Sequence, residues 1–189
     1  MSELLLKVVL DACVIFQAPL RDTLLRAAEH RLYEVCWSDM ILSEVSRNLV
    51  SSGRMSQKQV QRLLEKMRQF FPNATVRGFE DIIPDMTNNE KDRHVLAAAV
   101  AGSADTIVTS NLRDFPDRAL EPFEIEAKSP DQFLMILFRQ NSETMMGIVR
   151  EQAAELRKPP KTVEEVLDDI ALVAPQFAAA VRSGLGERE

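Results

Sequence analysis

Two cysteines, two histidines, one tryptophan, one tyrosine and six glycines among 189 residues leave several kinds of protein without support. Cys13 and Cys36 both sit in apolar, strand-like runs, where a free thiol serves as a small core hydrophobe, so no disulfide framework is implied. Their presence fits a reducing compartment, and a cytoplasmic location is expected. His30 and His94 are far apart and there is no CxxC pair, which speaks against zinc. No GxxxxGK[ST] or GxGxxG pattern occurs, so neither P-loop nucleotide hydrolysis nor dinucleotide binding has a motif to stand on. The long apolar stretch Val95 to Ala101 falls well short of the roughly 20 residues of a membrane-spanning helix. The N-terminal residues Met1 to Asp11 hold Glu3 and Lys7 and no small-residue cleavage site, so export is not indicated.

What is present is the material of a folded domain: 46% hydrophobic and 28% charged residues. Leu4 to Phe16 is a nearly continuous apolar run and reads as a strand buried on both faces. Leu20 to His30 reads as a helix after Pro19, and Tyr33 to Trp37 as a second strand. Ser38 caps a helix carrying Ile41, Leu42, Val45 and Leu49, which Gly53 ends. Ser56 starts a helix through Phe70 that Pro72 stops. Asn88 or Asn89 caps a helix from Glu90 to Ala101, and Asp105 to Ser110 forms another inner strand. This alternation predicts an α/β fold with three α/β/α layers and a central parallel sheet. From Ser129 onward Pro130 to Gln140, Glu143 to Leu156 and Val163 to Arg182 are helical by periodicity, and Gly184 to Glu189 should fray. The expected division is therefore residues 1–128 and a helical extension over 129–189.

The net charge of −6 argues against a nucleic-acid partner, but its distribution is uneven. Arg54 to Arg77 holds six Lys/Arg against one Glu, a local excess of +5, whereas Gly78 to Ala127 holds eleven Asp/Glu against four Lys/Arg, an excess of −7. A basic helix face near an acidic cluster suits a metal-dependent enzyme acting on a polyanion; a merely solvated helix face is the plain alternative.

Functional groups of open α/β sheets collect at the carboxyl ends of the strands. Four acids qualify. Asp11 interrupts the first apolar run, Glu44 lies among the inward residues of the second helix, Asp92 sits in a first helical turn, and Asp114 follows the last inner strand. Each alone could be a cap or a surface ion pair. Several carboxylates converging in one place repel one another and call for a hard divalent cation, Mg²⁺ above all, with Mn²⁺ as an alternative. A phosphotransferase of the haloacid dehalogenase type would need a second Asp where Cys13 stands. A receiver domain would need a Lys soon after Thr109, and none occurs before Lys128.

The run Val8-Val9-Leu10-Asp11-Ala12-Cys13-Val14-Ile15 resembles the opening strand of a PIN domain. Ser43-Glu44-Val45 resembles that family's early helical glutamate, Lys91 to Ala99 its third acidic motif, and Ile107 to Asn111 its last strand and turn. The resemblance covers residues 5–125. It departs at Asn111, where many members carry Asp, which bears on how a second metal would be held. It implies an endoribonuclease in which Asp11, Glu44, Asp92 and Asp114 serve as catalytic groups and metal ligands. Asp11 and Asp92 would be the principal ligands, Glu44 would position a water or act as base, and Asp114 would complete the shell. Thr109 and Asn111 would be hydrogen-bonding supports, with Arg93 and Arg113 meeting phosphate. The basic segment adds Arg54, Lys58 and Arg62 as expected RNA-binding residues. A solitary domain of this size with a helical tail is similar to VapC-type toxins of toxin–antitoxin systems, which implies a cognate antitoxin, a homodimer, and an antitoxin groove for which Leu20 to His30 and Met40 to Leu49 are candidates beside their reading as core. A non-catalytic RNA-binding or scaffold PIN domain is the alternative. Trp37, Met135, Met145 and Met146 read as packing residues, His94 as packing or capping beside the acidic site, and His30 as helix-end decoration.

Overall fold

The computed structural model describes residues 5–186. The residues up to Phe16 together with Glu34–Lys128 form one compact unit, and Gln17–Tyr33 together with the residues from Ser129 form another. The second grouping was absent from the linear reading, which divided the chain once. Leu4, and the last three of the residues expected to fray, lie outside the described residues.

In the first unit, β1 (Lys7–Leu10), β2 (Glu34–Ser38), β3 (Thr75–Val76), β4 (Thr106–Val108) and β5 (Glu126–Lys128) make one parallel sheet in the order β3-β2-β1-β4-β5. Successive strand residues face opposite sides, so the complete burial of Val8, Val9 and Leu10 means that both faces of β1 are covered. The helices around the sheet are α1 (Ala12–Ile15), α3 (Asp39–Ser51), α4 (Gln57–Phe70), α5 (Arg93–Ala101) and α6 (Asp117–Leu120). The remaining five, α2 (Ala18–Glu29), α7 (Pro130–Gln140), α8 (Ser142–Glu155), α9 (Val163–Ala171) and α10 (Pro175–Gly186), belong to the second unit. The expected parallel α/β architecture with C-terminal helices is present.

Two expectations need correction. The first strand does not run from Leu4 to Phe16: it stops at Leu10, because the Asp11 carboxylate accepts the Ala12 N–H at 2.6 Å and caps α1. A short apolar run serves a buried strand and a buried helix equally, so hydrophobicity alone could not find that corner. Nor is Val163 to Arg182 one helix. Pro175 has no N–H to donate and disfavours helix in the residue before it, so α9 ends at Ala171 and α10 starts at Pro175. The edge strands β3 and β5 gave no signal, being two and three residues long, without an inward apolar row.

Local chemistry accounts for the other boundaries. Ser38 Oγ accepts the Ile41 N–H at 3.2 Å and starts α3; Gly53, at φ +69°, follows its end. Ser56 and Gln59 form a reciprocal capping box on α4. The apolar residues Ile41, Leu42, Val45 and Leu49 of α3 are buried, while Met40 and Val50 stay exposed. Trp37 is wholly buried, edge-on to Phe71 at 5.9 Å.

The second unit is helical. Tyr33 meets Phe133 edge-on at 5.0 Å and donates its hydroxyl to the Leu24 carbonyl at 3.0 Å. Thr23 Oγ1 donates to Gln152 Oε1 at 2.9 Å, and Gln152 Nε2 to the Pro19 carbonyl at 3.1 Å, so these buried polar groups satisfy one another. Met145 and Met146 are packed inside, and His30 faces Glu151 at 3.5 Å. No helix among the described residues is long and apolar enough to cross a membrane.

Asp131, in the first turn of α7, is 8% exposed and accepts the Gln176 and Phe177 N–H groups at 3.2 and 2.9 Å, capping α10 from another helix. Asp131→Ala leaves the buried Phe177 N–H unmet and removes the acceptor of the less enclosed Gln176 N–H, and should cost about 2 kcal/mol. By calorimetry this unfolding transition should drop by roughly 4–8 °C, with a smaller drop for Asp131→Asn, which keeps one acceptor. An unchanged transition for both would show that the cap carries no stability.

Candidate active site

In the sheet order, β1 pairs with β2 on one side and β4 on the other, so the strand order reverses at the carboxyl end of β1. Binding crevices of open α/β sheets form at such points. Asp11 stands there, 4% exposed, and its backbone N–H continues the ladder to the Val108 carbonyl at 3.0 Å. A buried carboxylate needs donors. It has three: Ala12 N–H on Oδ1, and Thr109 Oγ1 at 2.7 Å and Cys13 Sγ at 3.2 Å on Oδ2.

Burial, followed by the negative field of Asp11, pushes the Cys13 thiol up to about 11, so it stays protonated at neutral pH and acts as donor. It also receives the Ser110 N–H at 3.3 Å. Thr109 Oγ1 in turn accepts the Asn111 N–H at 3.0 Å, so Asn111 supports the turn through its backbone. The same turn carries Asp114. Asn89 Nδ2 donates to Asp114 Oδ1 at 2.9 Å, and the Asn89 N–H to the Asp114 carbonyl at 3.1 Å. Asn89 Oδ1 also accepts the Lys91 N–H at 3.1 Å, initiating the 3-10 turn Glu90–Asp92 that delivers Asp92 to the head of α5.

The four acids lie near enough to repel one another. The Asp92 carboxyl is pushed up to about 6, first by burial and then by the negative fields of Asp11, Asp114 and Glu44, against a partial pull from Lys91. Glu44, half-buried on α3, faces His94 Nε2 at 3.6 Å, just outside hydrogen-bonding range. Burial lowers the His94 pKa below its ordinary value, against the pull of Glu44 and Asp11, so the imidazole is neutral at pH 7; its Nδ1 is buried without a partner.

An all-oxygen set of carboxylates pushing on one another is a donor set for Mg²⁺ or Mn²⁺. Among the described residues no three acidic, histidine or cysteine side chains form a ready-made cage for a metal ion. Mg²⁺ does not need one, since it binds through one or two carboxylates and keeps waters that substrate oxygens replace.

A family model described as "PIN domain" matches residues 7–113. The chain belongs to the PIN-domain family. A second model, described as "VapC50 C-terminal domain", matches residues 130–183, the helical tail. A Mycobacterium tuberculosis (strain ATCC 25618 / H37Rv) protein named "Putative ribonuclease VapC50" is 43% identical over 105 residues, 56% of this chain and 62% of that protein. The match thus spans less than two thirds of that relative's length. No solved structure matches the chain.

Of the other residues singled out in the sequence, Arg54 lies over the Phe16 ring, 4.5 Å from its centroid. Lys58, Arg62 and Arg113 are exposed, and Arg93 Nε reaches the Asn88 carbonyl at 3.5 Å. Sequence reasoning did not find Cys13 as a support of Asp11 or Asn89 as the clamp on Asp114, nor did it pair His94 with Glu44. Asn89 carried a faint signal, a capping residue three positions before Asp92.

The raised Asp92 carboxyl makes the PIN domain less stable when that group ionises. The stability it contributes is present below its unfolded pKa near 3.8 and is lost as pH rises through about 6. In EDTA at pH 7.5, Asp92→Asn should therefore unfold at a higher temperature than wild type. The gain is on the order of 1 kcal/mol once solvent screening of this half-buried group is allowed for, and it should vanish at pH 4. Equal melting curves at pH 7.5 would contradict the mutual repulsion.

Proposed function

We propose that this PIN domain is a divalent-metal-dependent endoribonuclease that hydrolyses RNA phosphodiester bonds, and that it is the toxin of a toxin–antitoxin pair. The single observation carrying the reading is that Asp11, Glu44 and Asp114 all act on the Asp92 carboxyl at the crevice beside β1 and β4. The name of the mycobacterial relative supports RNA as the substrate. The division into a nuclease domain over 1–128 and an extension over 129–189 is part of the same reading, as are a cognate antitoxin, a homodimer and a cytoplasmic location.

Asp11 and Asp92 are assigned as principal ligands of Mg²⁺ or Mn²⁺, with Asp114 and Glu44 completing the set. Bound there, the cation supplies charge compensation, a more acidic water and a hold on phosphate oxygens. The residues do the rest. Thr109 and Cys13 fix the Asp11 carboxylate by donating to one of its oxygens, and Asn89 fixes Asp114 in the same way. Glu44 is the one acid of the four facing a neutral imidazole, which suits it to orient the attacking water and take its proton. Arg93 and Arg113 are assigned to substrate phosphate. Arg54, Lys58 and Arg62 on and beside α4 are assigned to the RNA strand, where they offset the repulsion between the acidic centre and a polyanion.

Purified protein incubated with total RNA should cleave it in Mg²⁺ or Mn²⁺ and not in EDTA. Asp11→Asn should lose roughly 100-fold or more of the activity. Thr109→Val, which removes the hydroxyl at nearly constant shape, should lose about 10- to 100-fold and also unfold a few degrees lower, because Asp11 loses a buried donor and the Asn111 N–H its acceptor. Metal-dependent RNA binding without cleavage, unchanged in Asp11→Asn, would favour a non-catalytic PIN domain instead.

A further inference from the structure

An open cavity of about 600 Å³ lies beside the acidic centre. Asp39, Met40, Ser43 and Arg47 of α3 line it together with Lys91 and His94, and Glu44 belongs to the same wall. Its volume is in the range of small-ligand sites. Its charges are unevenly matched. Asp39 is engaged by Arg68 Nη2 at 2.9 Å, and Glu44 faces His94. Arg47 and Lys91 are exposed, and neither forms an ion pair among the described residues. The cavity therefore offers two cations outside any ion pair, one of which, Lys91, already acts through its field on Asp92. A free anion gains little there, because the acids beyond Glu44 repel it. An anion tethered to a chain whose next phosphate is held at the acidic centre is presented to both cations at high effective concentration, which offsets that repulsion. Met40, 43% exposed at the rim, adds a polarizable thioether of the kind that packs against aromatic rings.

We propose that this cavity is a nucleotide subsite for single-stranded RNA, in which Arg47 and Lys91 hold the phosphate next to the scissile one and Met40 meets its base. The subsite rests on the ribonuclease reading, and neither cation was singled out in the sequence or is assigned by the family match. Its role is to set the register of the strand across the acids. A bare cation against a phosphate is read through counterion release, which gives each one a defined signature.

The affinity of a fluorescent, mixed-sequence single-stranded RNA is measured across a KCl series with Mg²⁺ present, in an Asp11→Asn background that suppresses cleavage. R47Q and K91Q should each weaken binding about fivefold and flatten the slope of log affinity against log salt by about 0.7. R118Q removes an exposed cation of α6 outside the cavity and should leave the slope unchanged. If R47Q and K91Q behave like R118Q, the subsite is overturned; if wild type cleaves RNA all the same, the ribonuclease reading survives that failure. If the two slopes flatten while wild type never cleaves, the RNA subsite stands and the nuclease reading falls.

Discussion

Everything at the acidic edge of the sheet follows from one crowding problem: four carboxylates lie near the end of the central strand, and Lys91 pulls against their repulsion on Asp92. Asp11 is the fixed point. It is buried where β1 stops, and three donors hold it from two sides, the Ala12 backbone and Cys13 on its own turn and Thr109 from the end of β4. A carboxylate held by two strand ends cannot relax away from its neighbours. Asp92, already penalised by burial, feels the negative field of its neighbours as well, and its carboxyl is pushed up. Local instability of this sort is characteristic of sites shaped for a ligand that arrives later.

The supports form a chain rather than a list. Asn111 donates to Thr109, Thr109 to Asp11, and Asp114 closes the same turn by donating its N–H to the Asn111 carbonyl at 2.9 Å. Asn89 then ties Asp114 to the 3-10 turn that carries Asp92. Side chains spread across roughly a hundred residues of sequence are thus connected by short hydrogen bonds between loops that leave neighbouring strands. That connectivity explains how a parallel sheet with very short strands can still place its acids with precision.

Much of this was legible in the sequence, for identifiable reasons. Asp11 stood out because an ionised group in an apolar run requires an explanation, and Ser38, Ser56 and Asn89 announced helix starts through capping chemistry. The edge strands β3 and β5 were silent because their residues are half exposed and make no alternating pattern. The end of β1 was hidden because Ala12 to Ile15 is as apolar in helix as it would be in strand. His94 was read as packing, and it is buried, yet its proximity to Glu44 depends on how α3 and α5 approach one another, which no local pattern encodes. Arg47, and a role for Lys91 beyond its place in the quoted motif, were invisible for a similar reason: which charges stand near a cation depends on how α3 and the turn before α5 approach one another.

The make-up of the helical unit has an evolutionary consequence. Because Pro19 and Thr23 share hydrogen bonds with Gln152, and Tyr33 a ring contact with Phe133, the extension is woven around a segment that lies inside the PIN-domain sequence. Such a module cannot be gained or shed by moving a stop codon. An ancestor acquiring it had to rewrite residues 17–33 at the same time, so homologues that lack the tail should carry a differently composed, more polar helix in that interval.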